Sequence, residues 1–319
     1  MNSKERVRRT LEHSEPDRVP IGEWGIDHDV VEKAIGHSTY WRAKADTTKA
    51  LWAGRRDEVV ESFKEDLVQF TEELDQDLVP VHFVPPDDYE PPEVERVDDT
   101  TWREESGRIW KYSEGNDALL PLNEPSPDFQ SVEELTDHFE SHVVPRCGFK
   151  IVSKNNGHYD LEIDDESRLE LIKFVVDQLG DEKFIYARGF EEAIGSPEPL
   201  FFSEFESLSL FFGINMEDYF KPIVTKPELT RKAFDLYTEL TIAMAEEYIR
   251  AGVDAIAPQG DFSDGTGPMV SPESIKRIFY PGMKRLSDFA HEHGVKVLTH
   301  NCGNNWKIID FLIDVGYDF

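Results

Sequence analysis

The sequence has few of the features that mark secreted, membrane-bound or nucleotide-binding proteins. Its 319 residues include only two cysteines, Cys147 and Cys302, too few for a disulfide framework, so we expect a reducing, cytoplasmic location. No stretch approaches the roughly 20 apolar residues needed to cross a bilayer. The basic N-terminus lacks the apolar core of a signal peptide. The segment IGEWGID after the first predicted strand is not a glycine-rich nucleotide loop.

Basic residues are outnumbered, with 34 Lys and Arg against 65 Asp and Glu and a formal net charge of -31. Such a negative surface repels phosphate backbones and anionic lipid, so neither nucleic acid nor a membrane surface is an expected partner. The charge is consistent with a salt-rich habitat or with a basic partner. It describes solubility and steering and does not identify a reaction.

Strands and helices alternate along the chain, which predicts a parallel sheet. Five strands are predicted, and Tyr317, Asp318 and Phe319 resemble the start of a sixth. A (β/α)₈ TIM barrel needs eight strands, so we expect a barrel truncated after strand 5 or early in strand 6. A doubly wound open sheet is the competing architecture. The predicted strands are 19–22, 77–83, 183–188, 253–259 and 295–300.

Residues 84–130 differ from the rest of the chain. They are rich in proline and acid, and they alternate like an antiparallel hairpin turned at Ser106 and Gly107. We interpret them as an excursion within a single domain that covers residues 1–319. Helices are predicted over 57–74, over 131–140 with Ser131 and Glu134 as a capping box, over 227–252 and over 271–294.

Barrel active sites lie at the carboxyl ends of the strands, where this sequence places polar residues. Each has a plainer interpretation: His82 as a hydrogen-bonded structural histidine, Arg188 as the partner of a carboxylate, Asp261 as a staple within its loop. The candidate catalytic residues are Glu23, Asp27 and Asp261, and the candidate substrate-binding residues are Trp24, His82, Arg188, Gln259 and Asn304.

His300 and Cys302 are the candidate metal ligands. Residues i and i+2 of a strand face the same side, so an imidazole and a thiolate can grip one Zn²⁺ together. Two ligands do not make a site, because catalytic zinc usually has three protein ligands and one open position. On spacing alone, a buried structural histidine and cysteine are the favoured interpretation.

Four segments, EPDRVPIGEW, AGVDAIAPQGD, GPMVSPESIKRIFYPGMKRL and THNCGN, resemble in order and spacing the uroporphyrinogen decarboxylase superfamily. The resemblance implies a (β/α)₈ barrel. True decarboxylases of the superfamily carry an arginine-rich segment after strand 1 that holds the carboxylates of a porphyrinogen. Here the corresponding stretch contains Glu23, Asp27 and Asp29, which carry the wrong charge for that substrate.

The resemblance is closer to the branch of zinc-dependent methyltransferases, which move a methyl group from a corrinoid protein to a thiol such as coenzyme M. Those enzymes have a His-x-Cys at the end of strand 5, matched by His300 and Cys302, and a second cysteine much further along. The resemblance implies that this second cysteine lies beyond Phe319, and we do not expect Cys147 to substitute for it. It also implies Zn²⁺ as cofactor, a corrinoid protein as partner and a small-molecule substrate.

Two other functions stay open at this point. One is a decarboxylase of uroporphyrinogen or another carboxylated substrate, with Asp261 or Asp27 near the scissile group. The other is a barrel that binds a corrinoid or tetrapyrrole without chemistry. We expect the 319-residue chain to be inactive by itself, and the strand edges of an unclosed sheet favour association into a homo-oligomer.

Overall fold

A computed structural model describes residues 1–23, 25–123, 127–188, 206–213, 216–258 and 260–319, and it has an α/β fold. Short 3₁₀ segments lie at Glu166–Leu169 and Glu206–Leu208, and a π-helical turn lies at Phe139–Val143. The α-helices are α1 Ser3–Leu11, α2 His28–Ile35, α3 Lys44–Trp52, α4 Arg56–Glu73, α5 Val132–His138, α6 Val144–Arg146, α7 Glu170–Leu179, α8 Ser209–Phe212, α9 Met216–Thr225, α10 Pro227–Arg250, α11 Pro272–Ile278, α12 Tyr280–Glu292 and α13 Ile309–Val315. The strands are β1 Leu78–Val81, β2 Val94–Arg96, β3 Thr101–Glu104, β4 Ile109–Ser113, β5 Ala118–Pro121, β6 Phe149–Asn155, β7 His158–Ile163, β8 Phe184–Arg188, β9 Ala255–Ala257 and β10 Lys296–Val297.

The chain forms two compact units. The first comprises Met1–Glu124, Glu166–Pro199 and Ala251–Val253, and the second comprises Pro125–Asp165, Leu200–Arg250 and Asp254–Phe319. In the described part of the chain, every helix is too short or too polar to cross a lipid bilayer.

The first unit is built around β1 and β8, which pair in parallel from Leu78 opposite Phe184 to Val81 opposite Ala187. Helices α4 and α7 pack together beside them. The strand predicted at 19–22 is reduced to a parallel bridge between Gly22 and Leu78. That prediction of a full strand is therefore wrong, although the position of the segment beside β1 is as expected.

A buried carboxylate fixes the segment before Gly22. Asp77 accepts hydrogen bonds from Arg6 at 2.6 Å, from the Ile21 N–H at 2.7 Å and from Arg18. Burial raises the pKa of Asp77, but these donors, led by the Ile21 N–H, outweigh it and lower the pKa below its ordinary value. The Asp-Arg-Val-Pro part of the first motif thus has a structural role: it ties the chain entering this unit to β1.

The predicted excursion forms a four-stranded antiparallel sheet in the order β2-β3-β4-β5. Its turn at Gly107 has a φ of +88°, which suits glycine. Trp110 and Leu119 pack against Ala45 of α3, and Trp52, Trp102 and Tyr112 cover that small core. The apolar face of the sheet is therefore buried on α3.

The second unit contains β9 and β10, which pair in parallel with Lys296 opposite Ala255 and Val297 opposite Ile256. Asp318 donates its N–H to the Val297 carbonyl at 2.8 Å, so residues after α13 run beside β10. Helix α10 packs on α12, and a Cβ added at Gly282 would lie 2.2 Å from Thr238 Oγ1. The two helices approach closely because residue 282 has no side chain.

One predicted helix, 271–294, is wrong as a single element. It divides at Phe279 into α11 and α12, and Pro281 lies in the first turn of α12. Proline has no N–H to continue the ladder of the preceding helix, so a new helix starts there. Strands β6 and β7 form an antiparallel hairpin that packs on α10. No strands were predicted for these residues.

Candidate metal centre

The carboxyl ends of β9 and β10 bring two loops of the second unit together. Asp261 lies four residues after β9 ends at Ala257, and His300 and Cys302 come after β10. The pairing continues past both strands, because Gly260 donates its N–H to the His300 carbonyl at 3.0 Å. The loops that leave neighbouring parallel strands emerge at the same edge of a sheet. This geometry places the predicted ligands and the predicted catalytic acid side by side.

Asp261, His300 and Cys302 each offer one ligand atom to a shared space, and within the described ranges these atoms lie within 4.8 Å of one another. His300 Nε2 is 3.1 Å from Cys302 Sγ and 3.7 Å from Asp261 Oδ1. The side chains of His300 and Asp261 are 39% and 41% exposed, and Cys302 is exposed. A group entering from solvent can therefore reach all three.

The donor set fits zinc. A tetrahedral Zn²⁺ that holds a thiolate at about 2.3 Å and an imidazole nitrogen at about 2.0 Å separates those atoms by roughly 3.5 Å. The observed 3.1 Å between His300 Nε2 and Cys302 Sγ is within a few tenths of an ångström of that separation. One nitrogen, one sulfur and one carboxylate oxygen make three protein ligands, which is the number that leaves a catalytic zinc one open position.

Backbone hydrogen bonds hold the two loops in register. Asp261 Oδ1 accepts the Cys302 N–H at 2.8 Å, and Asn301 Oδ1 accepts the Phe262 N–H at 3.2 Å. Gly303 has a φ of +79°, and a Cβ there would lie 2.4 Å from the carbonyl oxygens of Ser263 and Asp264. A glycine is required at 303 on both grounds.

Asn301 and Asn305 are site residues that were not predicted from the sequence. Asn305 Nδ2 donates to the Asn301 carbonyl at 3.0 Å and to the Cys302 carbonyl at 3.3 Å. Three buried polar atoms beside these bonds, Ser263 Oγ, Asn301 Nδ2 and Asn305 Oδ1, have no hydrogen-bond partner among the described residues. The signal was present in the sequence, since the asparagines inside and shortly after the His-x-Cys are well suited to bonding a loop backbone.

Asn304, a predicted substrate-binding residue, does not join the group of ligand atoms. Its Oδ1 accepts the Trp306 N–H at 3.3 Å, and its own N–H donates to the Asp264 carbonyl at 2.7 Å. It lines a separate open hollow of about 480 Å³ in the same unit. Cys147 is buried, 1% exposed, and does not belong to the metal centre.

His82 lies in the core of the first unit. Its ring stacks on Trp41 with centroids 5.3 Å apart, Phe63 meets it edge-on, and its Nδ1–H donates to the Phe83 carbonyl at 2.7 Å. Burial lowers the pKa of His82 to about 4, and the charges of nearby Arg188 and Arg42 act in the same direction. This geometry is typical of a neutral, hydrogen-bonded structural histidine.

Arg188 is also buried, at 4% exposure. Burial lowers its pKa to about 9, and the charge of the neighbouring Arg42 acts in the same direction. Both arginines and Glu23 line a small, partly open hollow of about 10 Å³, enough for about one water molecule. The Glu23 carbonyl accepts the Tyr186 hydroxyl at 3.1 Å.

Asp27 directly precedes α2 and lies 4.0 Å from Arg42. Glu23 is exposed, so both predicted catalytic carboxylates of the first unit are open to solvent or to a surface ion pair. Trp24 and Gln259, two of the predicted substrate-binding residues, lie outside the described residues.

The fold and the site together define a class: an α/β protein with a candidate His, Cys and Asp metal centre at the ends of parallel strands. Residues 211–319, which contain that centre, match the family model described as Uroporphyrinogen decarboxylase (URO-D). These residues are about a third of the chain.

Two curated relatives have the same name, Methylcobamide:CoM methyltransferase MtaA. The protein from Methanosarcina barkeri is 28% identical over 105 residues, 33% of this chain and 30% of the relative. That from Methanosarcina barkeri strain Fusaro is 29% identical over 105 residues, with the same shares of each chain. The match thus spans less than a third of the length of these relatives.

A solved methyltransferase from Methanosarcina mazei has a similar fold, with a TM-score of 0.57 and 14% identity over 100% of this chain and 75% of that chain. Together, these comparisons confirm the predicted resemblance to the uroporphyrinogen decarboxylase superfamily, on the side of its methyltransferase-like branch.

Proposed function

We propose that this protein is a methyltransferase-like enzyme in which zinc activates a thiol that takes a methyl group from a corrinoid carried by another protein. The observation that carries the proposal is the meeting of His300 Nε2, Cys302 Sγ and the Asp261 carboxylate within 4.8 Å at the ends of two parallel strands. The name of the curated relatives, methylcobamide:CoM methyltransferase, supports a corrinoid as the methyl donor and a thiol as the methyl acceptor.

His300 and Cys302 would hold the zinc, with Asp261 as the third donor. When bound, Zn²⁺ lowers the pKa of a coordinated thiol until it is a thiolate at neutral pH. Asp261 has a second task, because it accepts the Cys302 N–H and so keeps the sulfur beside His300. Its exposed carboxylate is also a base that can take the proton of the incoming thiol.

The transfer itself is a displacement. The sulfur–carbon bond forms while the cobalt–carbon bond breaks, and the electron pair of the broken bond stays on cobalt. The half-exposed side chains of the centre leave room for a donor to approach from solvent. We also propose the roles predicted from the sequence, with Glu23 and Asp27 as catalytic carboxylates and with Trp24, Arg188, Gln259 and Asn304 as substrate-binding residues.

We further propose that residues 1–319 form the first part of a (β/α)₈ barrel in one domain, with the four-stranded antiparallel sheet as an insertion. The parallel pairs β1 with β8 and β9 with β10 support this proposal, as does the similarity in fold to the methyltransferase from Methanosarcina mazei.

Metal analysis tests the proposal. The purified protein, supplied with Zn²⁺ and then dialysed, should retain about one zinc per chain, and His300→Ala and Cys302→Ser should each lose most of it. Cys147→Ala is the matched control, because it removes the other thiol outside the centre and should leave zinc unchanged. Undiminished zinc in both ligand variants would sink the proposal.

A second measurement monitors methyl transfer. Methylcobalamin and 2-mercaptoethanesulfonate are mixed with the protein, and the cobalamin spectrum and the free thiol are recorded together. Loss of thiol that matches loss of methylcobalamin, and that disappears in His300→Ala, supports the reaction and contradicts the expectation that the 319-residue chain is inactive by itself. Decarboxylation of uroporphyrinogen without metal would instead favour the decarboxylase alternative.

A further inference from the structure

An exposed tryptophan marks an open hollow next to the candidate metal centre. Trp306 is 80% exposed, the largest exposure among the large hydrophobic side chains of the described residues. The hollow measures about 480 Å³, within the range typical of ligand sites. It is lined by Gly265, Gly303, Asn304, Asn305, Trp306 and Ile309.

The wall of this hollow is continuous with the loop that presents Cys302. Gly303 is the next residue, and Asn305 donates to the Cys302 carbonyl at 3.3 Å. The Trp306 backbone is held as well, since its N–H donates to Asn304 Oδ1 at 3.3 Å. A ligand seated on Trp306 would therefore border the loop that carries the candidate metal ligand.

The lining has a distinctive chemistry. It combines one broad aromatic face and the side chain of Ile309 with two amides and two glycines, and it contains no charged side chain. An exposed indole in such a place offers a stacking surface. A Cβ added at Gly265 would meet no atom within 4 Å, so the wall is low there and a wide ligand can reach the Trp306 ring.

Charge narrows the class of ligand. The chain carries a net charge of -31, and the lining provides no arginine or lysine to pair with carboxylates. A polyanionic tetrapyrrole is disfavoured on both counts. A corrin ring is flat and is fringed by neutral amides that can exchange hydrogen bonds with asparagine side chains.

We propose that Trp306 stacks on the corrin ring of the methyl donor, with Asn304 facing the amide groups on its edge, while Asn305 holds the loop from beneath. The inference rests on the proposed function, which supplies a corrinoid as donor, and it names the residues that receive this donor. The shallow hollow takes one face of the ring, and the rest of the cofactor stays with its carrier.

Equilibrium dialysis of the full 319-residue protein against methylcobalamin in the dark tests this inference. Trp306→Ala should weaken binding by about 5- to 100-fold, the effect of losing one stacking aromatic, and Trp306→Phe should keep most of the affinity. Ile313→Ala is the matched control, because Ile313 is 67% exposed on the following helix and does not line the hollow. Zinc content and circular dichroism are measured on every variant.

The outcomes separate this inference from the proposed function. If Trp306→Ala binds methylcobalamin more weakly than the wild type and has the same zinc content, the stacking role of Trp306 is supported. This holds even if His300→Ala shows that the centre holds no metal. Equal affinity for methylcobalamin in the wild type and Trp306→Ala overturns the stacking role of Trp306 and leaves the proposed zinc centre untouched. Absence of any binding to the wild type, or an equal loss in Ile313→Ala, also overturns it.

Discussion

Asp261 accepts the backbone N–H of Cys302 at 2.8 Å, across 41 residues of sequence. The same carboxylate oxygen lies 3.7 Å from His300 Nε2. One acid therefore holds the second loop in place and completes the candidate ligand set. In the sequence, holding its loop and taking part in the chemistry are alternative roles for Asp261. In the structure, Asp261 can have both roles.

Asp261→Asn separates these two tasks. The amide oxygen of asparagine can still accept the Cys302 N–H, but the negative charge is lost. We expect zinc affinity to fall by about 10- to 100-fold with little change in the melting temperature, as measured by competition with a chelator and by thermal unfolding.

Asp264→Asn is the matched control, because Asp264 caps a turn in the same loop through Thr266 and Gly267 and asparagine can keep that cap. It should leave zinc affinity unchanged. If Asp261→Asn binds zinc like the wild type, Asp261 is a staple and not a ligand.

Gly303→Ala should disrupt the register of the two loops. The substitution places a Cβ 2.4 Å from two carbonyl oxygens at a residue whose φ is +79°. The left-handed backbone costs about 1 kcal/mol, and the clash adds about 1–3 kcal/mol. Urea unfolding and zinc titration should both show the loss.

Gly36→Ala controls for the backbone alone. Gly36 has a φ of +84° with no atom within 4 Å of an added Cβ, so this variant should lose only about 1 kcal/mol. Equal losses at 36 and 303 would contradict the close approach of the two loops.

Glu239 joins three elements of the second unit and is 8% exposed. It accepts the Tyr159 N–H of the β7 strand at 3.1 Å, pairs with Arg285 of α12, and lies 3.5 Å from His158 Nδ1. Glu239→Gln should lower the free energy of unfolding by about 1–3 kcal/mol, because the two part-buried donors, Arg285 and the Tyr159 N–H, lose their charged acceptor.

Glu246→Gln, an exposed site on the same helix, should change the free energy of unfolding by less than about 0.5 kcal/mol. Chemical denaturation measures both variants. Indistinguishable stabilities would show that Glu239 contributes no more than a surface acid.

Local patterns in the sequence predicted the elements that depend on neighbouring residues. The capping box at Ser131 is confirmed, since Ser131 Oγ accepts the Glu134 N–H at 3.2 Å and Glu134 reaches back to the Gln130 N–H at 2.8 Å. The strand at 183–188 is confirmed as β8. His300 and Cys302 do lie 3.1 Å apart, but the predicted strand 295–300 is shorter than expected, because β10 ends at Val297. The loop after β10, and not the two-residue period of a strand, brings the two side chains together.

Features that depend on contacts between residues far apart in the chain could not be predicted from the sequence. The hairpin of β6 and β7 is stabilised by α10 and by Glu239, which lies 80 residues from Tyr159. The third donor of the candidate centre also required the fold, because only the pairing of β9 with β10 brings Asp261 to His300. Spacing along the chain carries no information about such contacts.

His82 makes stability depend on pH. Its pKa is about 4 in the folded protein and about 6.5 when unfolded, so between these values the unfolded chain binds a proton that the folded protein does not. Stability is therefore full above pH 6.5 and falls by about 1.4 kcal/mol per pH unit below it, roughly 3 kcal/mol in all by pH 4. His82→Phe keeps an aromatic ring against Trp41 but cannot titrate. We expect its stability deficit relative to the wild type to shrink steadily from pH 7 to pH 4.5, as measured by urea unfolding.

Asp17, whose pKa its hydrogen bond from Arg6 lowers to about 2, loses its contribution to stability only below the window from pH 4.5 to pH 7. Other groups are present in both proteins, so the comparison of His82→Phe with the wild type isolates His82. His13→Asn, at an exposed residue, should leave the pH dependence as it is in the wild type. A deficit in His82→Phe that stays constant across the window would mean that the pKa of His82 is the same in the folded and the unfolded protein. The ring would then be open to the substrate-binding role predicted from the sequence, which its burial argues against.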